Sequence, residues 1–185
     1  MSDGTFLLII SGQIEFLDVM APANTSYHCK YEFYSGPDWK IIGGLENGLS
    51  QVANIINNND KVVFNFPVEV QFKSTNPFGW PQLVLSVYKE MKLEGYGRVH
   101  LPTQPGCHKM EVNLSKPKSG YLLGQLWSFL GYQPELLEPT NLASTTGTNL
   151  IRMVSTGKAF MTFNIVTQGF LTLGYDSGPT HNRGE

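Results

Sequence analysis

The chain has 185 residues, a net charge of −2 and a pI near 6.1, so it has no long-range field that would draw nucleic acid or an anionic bilayer. Its length suits one domain with a proper core. Charged residues make up only 15% of it, fewer than the roughly 25% of average domains, which suits a subunit packed among partners.

No apolar run reaches the roughly 20 residues that span a bilayer. The start, MSDGTFLLIISGQIE, lacks the basic flank and small-residue cleavage site of a secretory signal. A cytosolic protein with two reduced cysteines is expected. In chain order, the first strand signals are Phe6 to Phe16 and Tyr27 to Tyr34. Gly43 to Asp60 interrupts them, with turn-rich ends and an exposed loop tip at Asn57 to Asp60.

From Val62 to Phe72 the even positions are apolar and Asn65, Pro67, Glu69, Gln71 and Lys73 occupy the odd ones, which puts one face in a core and the other in water. Pro67 has no N–H for a ladder hydrogen bond. It predicts a bulge or an edge, with strand segments Val62 to Phe66 and Val68 to Lys73. Asn76-Pro77-Phe78-Gly79 has the residue preferences of a type I turn, and Pro81 holds Trp80 extended. The chain should reverse here. Trp39, Phe78 and Trp80 lie in or beside turn sequences, where a large ring is either tucked under the loop or offered to a partner, since Trp is favoured at interface hot spots.

Further strand signals follow at Leu83 to Tyr88, Tyr96 to Leu101, His108 to Leu114 and Ala159 to Val166. About eight strands without helix–strand alternation predict an all-β antiparallel sandwich rather than a parallel α/β sheet. Lys116 to Gly157 reads as a long insertion before the last strand, and long insertions tend to be functional. Within it Leu122, Leu123, Leu126, Trp127 and Leu130 recur at helical spacing, with Ser119 as a cap and Gly131 as a stop. No charge lies between Lys118 and Glu135. The short helix so predicted has three possible uses: packing on its own sandwich, docking a partner, or inserting in a membrane, although it lacks the basic face usual for the last. The tail after Gly178 is expected to be disordered.

Site chemistry is sparse. Asp18, Asp38 and Asp60 lie in expected loops but stand singly, whereas a calcium site wants six to eight oxygens, many from clustered carboxylates. His28-Cys29 and Cys107-His108 mirror each other, yet neighbours on a strand point to opposite faces and cannot both reach one metal. There is no Gly-x-Ser-x-Gly elbow or phosphate-binding Gly-x4-Gly-Lys-Ser/Thr loop. Glu94, Tyr96, Arg98 and His100 read as an outward strand face. Arg98, His100, Lys109, Lys116 and Lys118 form a candidate anionic-lipid face, its fixed charges worth about 1 kcal/mol each if they reach a lipid surface.

The run FKSTNPFGWPQLVLSVY, with GYGRVHLP at Gly95 to Pro102 and PGCHK at Pro105 to Lys109, resembles the B9 domain family. FLLIISGQIE, CKYEF, the Asp38-Trp39 pair, GLENGLSQ and LGYDSGP extend the likeness over nearly the whole chain. The resemblance implies a C2-like β-sandwich, expected over residues 1–178 together with the one short helix that the spacing predicts in the insertion. It also implies a non-enzymatic scaffold of the ciliary transition zone at the basal body, and the residues themselves lead to the expectation of no cofactor or metal. The implied partners are a second B9 domain protein and the Meckel syndrome protein. On this reading Leu122, Leu126, Trp127, Leu130, Phe78 and Trp80 are the candidate partner interface. The competing reading is a calcium-independent phosphoinositide-binding module.

Overall fold

The structure, a computed structural model, describes residues 4–57, 61–117 and 153–175. Ten strands lie among them: β1 (Phe6–Val19), β2 (Ser26–Tyr34), β3 (Lys40–Gly44), β4 (Asn47–Leu49), β5 (Ala53–Asn54), β6 (Val62–Ser74), β7 (Gln82–Lys89), β8 (Lys92–His100), β9 (Gly106–Pro117) and β10 (Met153–Gln168). All pair antiparallel in the order β3-β6-β1-β10-β9-β8-β7-β2-β4, with β5 also on β2. This is the all-β, C2-like sandwich that the sequence predicts.

The alternation in the sequence directs the core. Phe6, Leu8, Ile10 and Ile14 of β1 and Val68, Val70 and Phe72 of β6 point inward, as do Tyr27, Cys29, Tyr31 and Phe33 of β2 and Leu83, Leu85 and Val87 of β7. Phe33 meets Phe72 edge-on at 5.8 Å between centroids, and Tyr31 lies 6.1 Å from Phe66. Since β2 and β6 stand far apart in the strand order, these contacts cross the core and fold the sheet into two facing layers. Gly12 of β1 falls where a Cβ would lie 2.1 Å from the Thr162 carbonyl oxygen and 2.8 Å from Phe163 Cα. Only glycine fits there.

Strand ends differ from the sequence reading in physically clear ways. Val62–Ser74 is one strand, not two, and its irregularity lies just before Pro67, where Ile14 pairs Phe66 but Phe16 pairs Val63. Asn65 takes φ 45° there, in the left-handed region, at the bulge. The Glu69 carbonyl accepts from Leu45 N on the β3 side. Pro67, two residues earlier, turns its ring nitrogen to that same side, beyond the Lys40–Gly44 extent of β3. The proline therefore sits at a bulge and a local edge together. β9 and β10 run on to Pro117 and Met153, which pair with each other and shorten the insertion from both sides. The predicted helix over Tyr121 to Tyr132, the polar tract Pro139 to Asn149, the loop tip at 58–60 and the tail after Gly178 lie outside the described residues.

Candidate functional site

Asn76 to Gly79 reverses the chain through a side chain: Asn76 Oδ1 accepts from Phe78 N at 3.0 Å. Ser74 Oγ, with one proton to donate, stands 3.0 and 2.7 Å from the carbonyl oxygens of Asp38 and Asn76, binding this turn to the β2–β3 loop. Gly79 has φ 70°, and a Cβ on it would lie 2.6 Å from Gly36 Cα, so glycine is required twice over. Trp39 is buried, and its indole N–H donates to the Phe78 carbonyl at 3.0 Å. The Trp80 N–H donates to the Leu101 carbonyl at 2.9 Å. The two indoles meet edge-on at 5.2 Å, and Trp39 also touches Phe6 while Trp80 touches Phe170. This aromatic cluster closes one end of the sandwich. Of the turn aromatics, Phe78 alone presents its ring to solvent, at 78% exposure.

Residues 40–56, which overlap the Gly43 to Asp60 stretch read in the sequence as an interruption, form a strap joining the two layers. Leu45 N donates to the Glu69 carbonyl of β6 at 3.1 Å, and the next residue's carbonyl, Glu46 O, accepts from Phe33 N of β2 at 2.9 Å. Ser50 then exchanges two bonds with Cys29: its N donates to the Cys29 carbonyl at 2.8 Å, and its Oγ accepts from Cys29 N at 2.9 Å. Ile42, Leu45, Leu49, Val52 and Ile56 are all more than half exposed along this strap. Between Lys40 and Asp60 its only charge is Glu46. A groove of about 360 Å³ opens beside it, lined in part by Val52, Asn54, Ile56, Lys61 and Val63. Lys61 Nζ stands 4.2 Å above the Phe16 ring. Sequence reading missed this surface because its apolar residues follow no strand or helix period. The available signal was the near absence of charge across it.

The polar candidates do not assemble into one centre. Asp38 lies beside Ser74, at the Phe6 end of β1, whereas Asp18 lies at the other end; the strand between them spans roughly 40 Å at ~3.3 Å per residue. Asp60 is outside the described residues. His28 faces outward, stacked on Tyr88 at 5.0 Å, while its neighbour Cys29 is in the core. Cys107 is exposed on β9, and His108 Nε2 lies 2.9 Å from the Gln104 carbonyl. Among the described residues no His, Cys, Asp or Glu group is arranged to hold a metal.

Of the basic set, Arg98 and His100 are exposed on β8, and Lys109 is exposed on β9 opposite Thr162. Acidic groups interleave with them. Thr162 Oγ1 donates to Glu15 at 2.8 Å, Lys116 pairs with Glu94 at 3.7 Å, and Glu111 is held by Lys158, whose pKa it raises through that hydrogen bond. Lys118 is outside the described residues. Tyr96 is not on an open face but 2% exposed, a correction to the sequence reading.

Burial sets the remaining electrostatics. Desolvation pushes the Tyr27 hydroxyl up to about 12, with Glu94 and Glu90 adding to it. It also raises the Cys29 thiol and Tyr31. A high thiol pKa marks an inert core cysteine rather than a nucleophile.

The described residues thus form an antiparallel β-sandwich that bears an apolar strap on its surface. A family model described as "Ciliary basal body-associated, B9 protein" matches residues 8–166. B9 domain-containing protein 1 of Mus musculus is 41% identical over 190 residues, covering 99% of this chain and 92% of the relative. Its Homo sapiens counterpart is 40% identical with the same coverage. B9 domain-containing protein 2 of Danio rerio is 26% identical over 161 residues, covering 84% of this chain and 91% of the relative. The chain belongs to the B9 domain family. Its relatives are named for a domain and not for a reaction.

Proposed function

We propose that this protein is a non-enzymatic scaffold subunit of the ciliary transition-zone complex, at the basal body, which serves ciliogenesis and the gating of membrane proteins into the cilium. Its partners on this reading are a second B9 domain protein and the Meckel syndrome protein. The observation that carries the proposal is the strap: five large apolar side chains stand exposed on residues 41–56, whose single charge is Glu46. Isolated surface apolars are ordinary, but a run of them with so little charge marks a binding face.

Phe78, at the far turn, is a second contact on the same reading. Trp80 serves from beneath, holding that turn in place. The strap carries its apolar residues on backbone already fixed by hydrogen bonds to both layers, so little ordering entropy is lost on docking.

The test is co-purification of the full chain with a second B9 domain protein. Leu49→Asp with Val52→Asp, on exposed positions, should abolish capture and leave the melting temperature unchanged. Retained capture at wild-type levels would remove the strap from the interface.

A further inference from the structure

The groove beside the strap takes its lining from two segments: Val52, Asn54 and Ile56 from the strap, and Lys61 and Val63 from the start of β6. Val52, Ile56 and Val63 are 62%, 80% and 54% exposed. The Gln51 amide, donating to the Phe64 carbonyl at 2.6 Å, ties the two segments together, so the groove exists before anything enters it. At about 360 Å³ it lies at the small end of binding pockets and has room for a side chain or two. Leu17 and Val62 pair with each other and face the core, so their neighbours Phe16 and Val63 face outward. Phe16 stacks on Phe160 of β10 at 4.6 Å, and apolar surface thus runs from the groove across the outside of β6, β1 and β10.

Among the described residues that line the groove, Lys61 alone is charged. Its Nζ is held 4.2 Å above the Phe16 ring centre and 6.0 Å from that of Phe160. The nearby acids are engaged elsewhere: Glu111, opposite Phe160, is held by Lys158, Asp18 lies opposite the same Lys158, and Glu15 accepts from Thr162 Oγ1. Among the described residues no carboxylate pairs with Lys61. An apolar occupant alone would strip water from this ammonium and give nothing in return, which is costly. One that carries a carboxylate beside its apolar side chain meets both demands. We propose that the groove receives a large apolar side chain of the partner protein together with an adjacent Asp or Glu, whose carboxylate pairs with Lys61. This pairing rests on the reading of the strap as a docking face, and adds to it the charge that the partner must bring. The aromatic platform fixes the ammonium in advance, so the pair selects against partners that bring a base or no charge.

The affinity of the full chain for a second B9 domain protein, measured at low and at high salt, tests it. Lys61→Met keeps the stem on Phe16 and removes the charge; it should weaken binding ~3–5-fold at low salt and flatten the salt dependence. Lys61→Arg, which keeps charge and platform, should bind as the wild type does, so that a loss confined to Lys61→Met is no folding defect. Asn54 is exposed on the groove. Asn54→Asp should weaken binding by a similar factor, and Asn54→Lys should strengthen it ~3-fold. Wild-type affinity and salt dependence in Lys61→Met, or tighter binding by Asn54→Asp than by Asn54→Lys, overturns the proposal. Unchanged protein affinity in Lys61→Met with lost binding to phosphatidylserine–phosphatidylcholine vesicles would assign Lys61 to a membrane and also overturns it. Leu49→Asp with Val52→Asp judges the strap separately. If that pair abolishes capture while Lys61→Met leaves affinity intact, only the Lys61 pairing fails; if it leaves capture intact, both readings fail.

Discussion

Tyr27 carries its hydroxyl into the core end of β2, where that oxygen finds no hydrogen-bond partner among the described residues. Burial of an unpaired hydroxyl costs about 1–3 kcal/mol, so Tyr27→Phe should raise stability to urea by about 1 kcal/mol near neutral pH. The same residue makes the fold sensitive to alkali. Up to pH 10 the phenol is protonated in both states; between 10 and about 12 the unfolded chain loses that proton while the folded chain keeps it. The unfolded state then binds fewer protons, and stability falls by up to about 1.4 kcal/mol per pH unit. Cys29 adds a fall of the same sign that begins about one unit lower, near its ordinary value of 9.0. Tyr27→Phe should make the decline above pH 10 shallower and leave the parts due to Cys29 and Tyr31, read from urea midpoints between pH 8 and 11. An unchanged profile would mean that Tyr27 ionises as freely in the fold as outside it.

At the scale of elements, turns hold most of what the sequence reading left undecided. The hairpin joining β7 to β8 places Glu90 at φ 47° and Met91 at φ 68°, the backbone of a two-residue turn that normally selects Asn-Gly. Nothing in Glu-Met announces such a turn, since neither residue favours the left-handed region. Replacing both by Asn-Gly should stabilise the protein by about 1 kcal/mol, measured by chemical denaturation. The Asn76–Gly79 turn was legible in its residues. Its closure was not, because the Trp39 bond to the Phe78 carbonyl joins positions 39 residues apart. Trp80→Ala removes a ring packed between Trp39 and Phe170 and a donor to Leu101, and should lower stability by about 3–5 kcal/mol. Intact stability with lost capture of a B9 partner would instead assign the ring to the interface.

For the whole molecule, two-residue alternation made the long strands legible, because every second side chain of β1, β2, β6 and β7 had to be buried between two layers. β3, β4 and β5 escaped it. They are two to five residues long, too short to show a period, and they form only because β2 and β6 offer them ladder partners distant in sequence. That is also why the strap was not legible as a site: its exposure depends on where the two layers place it. Asp18 and Asp38 show the converse, since both looked like loop carboxylates and the length of β1 sets them at opposite ends. The central claim is that the strap is the docking face of a B9 subunit. Amide hydrogen exchange over residues 42–56, in the isolated chain and mixed with a second B9 domain protein, addresses it directly. The account predicts slower exchange across the strap on mixing, greatest around Leu49 to Ile56. Exchange there that is the same in both samples would contradict it.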